Sequence, residues 1–218
     1  MLRAGRLTDA QQRGFDQGWP QWGIDYTPAL LDFDALFGSR RERVLEIGFG
    51  MGQSLLDMAT ARPDTQYLGI EVHRPGVGRL LHGVAERELS NIRVICHDAV
   101  DVLEHCIAPG SLQRVQIFFP DPWHKKRHNK RRLIQAAFTE LLASRLSPGG
   151  VLHLATDWEP YAEQMLEVLN ACDSLGNVAD DGGYVPRPDE RPLTKFELRG
   201  QLLGHGVWDL LYRRNTKP

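Results

Sequence analysis

Cysteine is scarce in this sequence, long apolar runs are missing, and neither sign of charge predominates. The three cysteines, Cys96, Cys106 and Cys172, are an odd number without metal-type spacing, which argues against a disulfide framework and against a structural zinc site. Two of them fall in apolar segments and read as buried free thiols. No stretch approaches the roughly 18 apolar residues that a membrane-spanning helix requires, and Met1 to Ala10 lacks the apolar core of a signal peptide. The reading is a cytoplasmic protein with no membrane segment and no bound metal, either monomer or homodimer. A formal net charge of −2 gives no global sign of a polyanionic partner.

What is present is a chain of 218 residues, 42% of them hydrophobic, within the size of one compact domain with its own core. Charge is uneven. Lys125, Lys126, Arg127, Lys130, Arg131 and Arg132 put six cations into eight positions, with His128 and Asn129 among them. Such density on a slightly acidic chain is a local electrostatic footprint for nucleic acid, or a solvated helix face.

Residues 1–43 are polar and Gly-rich, with scattered aromatic residues, and read as an N-terminal extension packed on the domain. From Val44 the pattern becomes regular. Apolar runs at Val44–Gly48, Tyr67–Val72, Ile92–His97, Val115–Phe119 and Val151–Ala155 alternate with helix-like segments, which is the signature of a parallel sheet with crossover helices. One helical stripe, Ile134 to Leu146, is expected to halt at Ser147-Pro148-Gly149-Gly150; another follows Pro160, a residue suited to a first turn. Residues 176–193 read as a long loop, Thr194–Leu203 follows, and Gly206–Tyr212 is a last strand candidate. The expected architecture is an α/β, Rossmann-like domain over 44–218, with a mostly parallel seven-stranded sheet and helices on both faces.

The first apolar run leads into Glu46-Ile47-Gly48-Phe49-Gly50-Met51-Gly52, a strand-to-helix turn whose glycines let backbone approach a ligand. A dinucleotide fingerprint would place glycine where Gln53 stands. Glu46 just ahead of the loop would repel a pyrophosphate and attract a ligand carrying ammonium and sulfonium charges. Glu71 ends the second run, about twenty residues on, where an acid reaches ribose hydroxyls. Asp98 ends the third. Acids at three successive strand ends fit S-adenosylmethionine better than NAD, although Glu46 has the alternative of an arginine partner and Asp98 that of capping a helix from Ala99.

Phe118-Phe119-Pro120-Asp121-Pro122-Trp123-His124-Lys125-Lys126 is the most informative stretch. It holds Asp121 between two prolines directly after a strand. Methyltransferases of exocyclic amines carry a related turn with two prolines after the acid or amide; here one follows. Phe119-Pro120-Asp121-Pro122-Trp123 with Lys125, His128, Arg131 and Arg132 resembles the signature of bacterial tRNA (guanine-N7)-methyltransferases of the TrmB type. The resemblance extends to Arg6-Leu7-Thr8, Glu46–Gly50, Gly69-Ile70-Glu71-Val72, Thr156-Asp157-Trp158 and Thr194-Lys195-Phe196-Glu197.

That resemblance implies methyl transfer from S-adenosyl-L-methionine to N7 of the guanine at position 46 in the tRNA variable loop. It implies that Glu46, Gly48, Glu71, Asp98 and Asp121 contact the cofactor, with Asp121 also catalytic. Lys125, Asp157, Thr194, Lys195, Phe196 and Glu197 match substrate contacts, while Arg127, His128, Asn129, Lys130, Arg131 and Arg132 match the RNA-binding segment. By spacing alone, Thr194 and Glu197 equally suit a helix capping box. A methyltransferase of an exocyclic amine and a non-catalytic RNA-binding module are the competing readings. The single proline after Asp121 disfavours the first, and the four acids disfavour the second.

Overall fold

The computed structural model describes residues 7–193, 197 and 206–216, in two compact units, Met1–Ala108 and Pro109–Pro218. The first unit contains strands β1 (Gly23–Ile24), β2 (Arg43–Ile47), β3 (Gln66–Ile70) and β4 (Ile92–Ile95), all parallel in the order β1-β4-β3-β2. Every residue of β3 is buried, which is why it reads as continuous rather than alternating. Its helices are α1 (Asp9–Trp22), α2 (Phe33–Phe37), α3 (Gln53–Ala61), α4 (Arg74–Glu86) and α5 (Ala99–Cys106). The second unit contains β5 (Leu112–Phe118), β6 (Leu146–Thr156), β7 (Leu175–Asn177) and β8 (Trp208–Arg214), with α6 (Ala136–Arg145) and α7 (Glu159–Asn170). There β5 and β6 are parallel, whereas β8 runs antiparallel to both β6 and β7.

The described residues thus form eight strands rather than the seven expected. Two of the eight, β1 and β7, have only two and three residues, too few to show a period. A further difference lies at Ser147–Gly150. The helix does stop at Arg145, but β6 begins at once and runs through the Pro-Gly-Gly segment. A register irregularity opposite Leu112 and Arg114 and a φ of 75° at Gly149 accommodate this, since Pro148 has no N–H to give the ladder.

The N-terminal segment is ordered by local caps and by close packing. Thr8 and Gln11 form a reciprocal capping box at the start of α1, and the Trp22 indole donates to the Leu89 carbonyl at 3.1 Å. A Cβ on Gly78 would stand 2.2 Å from the Gln11 carbonyl oxygen, and one on Gly14 would stand 2.3 Å from that of Gly78. Helices α1 and α4 therefore meet backbone to backbone. Cys106 and Cys172 are buried free thiols, and burial pushes the Cys172 thiol up to about 11. Among the described residues no helix is long and apolar enough to cross a membrane.

Two substitutions test the α1–α4 contact. Ala exceeds Gly in helix propensity by about 1 kcal/mol; in Gly18→Ala, whose Cβ would stand 2.8 Å from the Leu81 Cβ and 3.4 Å from the Trp22 ring, that gain offsets part of the cost of shifting these side chains, so the variant is expected to lose less stability than Gly78→Ala. Gly78→Ala meets main chain, and overpacking of about 1–3 kcal/mol should outweigh the propensity gain. Urea midpoints measure both; equal values for the two variants would mean that the helices can slide apart freely.

Candidate functional site

In the first unit the expected ligand residues gather at the carboxyl ends of three neighbouring parallel strands. The loop after β2 has Gly48, Gly50 and Gly52 at φ 73°, 58° and 76°, a region in which side chains with a Cβ are strained. Nothing lies within 4 Å of where a Cβ on Gly48 or Gly50 would project, so the loop offers bare backbone to open space. Its other side is held. A Cβ on Gly76 of α4 would stand 2.0 Å from the Gly50 carbonyl oxygen. The Gly50 N–H donates to Glu71 Oε2 at 2.9 Å, while Glu71 Oε1 accepts from the N–H groups of Val72 and His73 at 2.8 and 2.9 Å.

Glu71 is therefore a peg for the loop, whatever else it binds. Glu46 is 3% exposed within β2, in register with Gly69 of β3. Asp98 is exposed and caps α5, one oxygen accepting from the Val100 N–H at 2.8 Å. Beside it the His97 ring stacks on Tyr26 at 3.8 Å, and His97 Nε2 lies 3.0 Å from Asp101. The Tyr26–His97 wall was not among the expected site residues, because Tyr26 lies in the weakly periodic N-terminal segment.

In the second unit, Asp121 and Asp157 follow the adjacent parallel strands β5 and β6 at the same end. Asp121 is exposed at the centre of a turn bracketed by Phe119 at φ 52° and Trp123 at φ 48°. Two bulky residues in the left-handed region store on the order of 1–3 kcal/mol each, and such strain clusters at functional sites. The Phe119 N–H donates to the Ala155 carbonyl at 2.8 Å, and His124 packs edge-on against Trp158 at 4.3 Å. The loops carrying the two carboxylates thus touch.

Lys126–Arg131 forms a short 3-10 helix. Lys125, Lys126, Arg127, Lys130 and Arg131 are exposed and His128 and Asn129 half-buried, with the Arg131 guanidinium 5.1 Å over the Trp123 ring. Arg132 departs from the surface position expected of an RNA contact: it is 5% exposed and bonded inward. Of the expected substrate stretch, Thr194, Lys195 and Phe196 lie outside the described residues. Glu197 is buried, its two oxygens each 2.7 Å from the Arg191 guanidinium.

Arg191 is also bonded to both Asp209 oxygens, at 2.7 and 2.9 Å, and Asp209 to His153 at 2.7 Å. The same guanidinium lies 5.5 Å over the Phe119 ring, so this buried cluster underlies the start of the Asp121 turn. Sequence reasoning missed it. His153 and Asp209 sit inside apolar strands and Arg191 in a Pro-rich loop, with no shared period to connect them.

A family profile described as "Putative methyltransferase" matches residues 40–210. A tRNA (guanine-N(7)-)-methyltransferase of Serratia proteamaculans is 60% identical over 212 residues, covering 97% of this chain and 89% of the relative. Its counterpart in Ectopseudomonas mendocina is 59% identical over 214 residues, covering 98% and 90%. The chain belongs to the tRNA (guanine-N(7)-)-methyltransferase family. Solved methyltransferases share the fold at low identity: the 16S rRNA methyltransferase KamB aligns with a TM-score of 0.62 at 15% identity over 85% of this chain and 94% of its own. The antibiotic-resistance methyltransferase Kmr aligns with a TM-score of 0.59 at 14% identity over 89% and 96%. Family and fold together make this a Rossmann-like class I methyltransferase.

The buried cluster carries a pH dependence. Burial pushes the His153 imidazole below its ordinary 6.5, with Arg114 and Arg191 adding to the effect against the pull of Asp209. Burial alone would raise the Asp209 carboxyl, but hydrogen bonds from His153 and Arg191 hold it below 3.8. In both cases the unfolded chain binds more protons in the window just below the ordinary value, so acid destabilises the fold, His153 first as pH falls below 6.5. Melting temperature should fall from about pH 7 to about pH 5, and His153→Gln should flatten that slope. An unchanged slope in the variant would assign the acid sensitivity to other groups.

Proposed function

We propose that the chain methylates N7 of guanine in tRNA, at position 46 of the variable loop, with S-adenosyl-L-methionine as donor, in the cytoplasm. The observation that carries this reading is the Asp121 turn: an exposed carboxylate on a strained turn between prolines, continued by five exposed cations. The names of relatives at 59–60% identity over nearly the whole chain support the same chemistry.

The residues of the first unit fit the donor. The bare, open backbone at Gly48 and Gly50 admits a ligand at a distance that any Cβ would prevent. Glu46, Glu71 and Asp98 set negative charge at three strand ends, suited to a cationic amino acid and a ribose; Asp121 is the fourth contact in this reading. When bound, the donor supplies a methyl group on a sulfonium, open to in-line attack.

Guanine N7 already has an in-plane lone pair and no proton, so no strong base is required. The residues have to orient the purine and stabilise the positive charge it acquires. Asp121 and Asp157 do this as fixed carboxylates, with Lys125 and the stretch Thr194–Glu197 holding the substrate. Lys126, Arg127, Lys130 and Arg131, with His128 and Asn129 beside them, neutralise phosphates and give most of the affinity for RNA.

Labelled methyl transfer to unmodified tRNA, followed by nucleoside analysis and mapping of the modified position, tests the reading directly. The expected product is 7-methylguanosine in the variable loop; methyl on an exocyclic amine would overturn it. Asp121→Asn keeps the size and one acceptor but removes the charge, so the barrier should rise by roughly 2–4 kcal/mol with little loss of tRNA binding. Single turnover at saturating donor measures this, and a near-normal rate would move the catalytic role to Asp157. Glu71→Ala should weaken donor binding by about 1.5–3 kcal/mol, read by calorimetry on the folded variant. Unaltered affinity would leave Glu71 as a loop peg alone.

A further inference from the structure

Arg132 closes the basic run, yet it alone among the six cations points inward. Its Nε donates to the Pro122 carbonyl at 2.9 Å. One terminal nitrogen, Nη1, donates to the Pro160 carbonyl at 3.1 Å and to Gln164 Oε1 at 2.7 Å. The guanidinium lies 4.7 Å over the Tyr161 ring. We propose that Arg132 is a positioning residue, a strap that ties the Asp121 turn to α7, and not a phosphate contact. The proposal rests on the reading of Asp121 as the catalytic carboxylate.

The turn has an unusual need for such a strap. Pro120 and Pro122 have no N–H, so within Pro120–Pro122 only Asp121 has a backbone donor with which to brace the turn. Phe119 and Trp123 hold left-handed backbone on either side, a conformation that persists only where the surroundings over-determine it. The Pro122 carbonyl, directly after Asp121, is therefore a handle that an external donor can use.

The other end of the strap matters as much. Helix α7 starts at Glu159, two residues after Asp157, and its first turn supplies the Pro160 carbonyl. One guanidinium thus bridges the turn that carries Asp121 and the helix that follows Asp157, fixing the spacing of the two carboxylates that flank the guanine in the proposed mechanism. The planar fork of arginine reaches all three acceptors at once; a lysine ammonium is a point donor without that geometry. Among the described residues its partners are two carbonyls, an amide and an aromatic ring, with no carboxylate. An arginine placed there binds positions rather than a counter-charge. The neighbouring Arg131 is exposed and serves as the contrast.

The experiment compares Arg132→Gln, Arg132→Lys, Gln164→Leu and Arg131→Ala by turnover at saturating tRNA and S-adenosylmethionine, by the salt dependence of tRNA binding, and by hydrogen exchange. Arg132→Gln should lower kcat about tenfold or more, leave the salt slope of tRNA binding as in the unaltered protein, and speed amide exchange at Phe119, Asp121 and Trp123. Arg131→Ala should instead lower the salt slope by about 0.7. Should Arg132→Gln fail to fold, Arg132→Lys and Gln164→Leu carry the test. Each should reduce kcat several-fold, and the pair together by less than the product of the two. A lowered salt slope with kcat intact in Arg132→Gln, or multiplicative losses in the pair with unchanged exchange at 119–123, would overturn the strap. Absence of 7-methylguanosine from the unaltered protein rejects the proposed function instead, and exchange at those three amides then still decides whether Arg132 braces the turn.

Discussion

A carboxylate that must stay fixed while standing in solvent has to be held by its backbone, and the turn at Asp121 has few backbone donors with which to do so. Proline on both sides stiffens it and removes two N–H groups; the left-handed Phe119 and Trp123 aim it. Much of the second unit answers to that constraint. At one end the Phe119 N–H is paired with Ala155 and its ring lies on Arg191. At the other, Pro122 is gripped by Arg132. Burying charges such as Arg191, Glu197 and Asp209 is a weak route to stability, but it is a good route to one geometry.

The first unit meets a related demand by the opposite means. Its loop after β2 has to present bare backbone, and it uses glycine where the second unit uses proline. Positive φ costs Gly48, Gly50 and Gly52 little, so the difficulty is not strain but looseness. Glu71 counters it, pinning Gly50 from below while joining the loop to the start of α4. A residue expected to grip a ribose is thus, in the structure, what makes the loop a defined surface.

Strand and helix segments with a sustained period were readable from the sequence: β2 to β5, the second half of β6, α6, α7 and β8 fall close to their expected places because burial imposes the period. Glu71 and Asp98 in the first unit, and Asp121 and Asp157 in the second, were readable as strand-end acids because within each unit the order of parallel strands, not local propensity, puts them after neighbouring strands. What escaped has a common physical origin. Strands β1 and β7 exist only through pairing with β4 and β8. The Arg191 cluster joins residues up to 56 positions apart through side-chain hydrogen bonds. The inward turn of Arg132 is invisible beside Arg131, since two adjacent arginines look alike until one of them meets Pro122.

Helix α4 shows what such choices imply for anyone who would re-engineer the protein. Its glycines at 76, 78 and 83 each accept a different neighbour: the Gly50 carbonyl, the Gln11 carbonyl and the Leu56 side chain. Replacing helix glycines with alanine is a common recipe for raising thermal tolerance, and a propensity scale would select all three positions here. Two of them abut main chain that cannot swing aside. This helix is a spacer whose value lies in its thinness, so heat-resistant variants should be sought in the surface loops while α4 is left untouched.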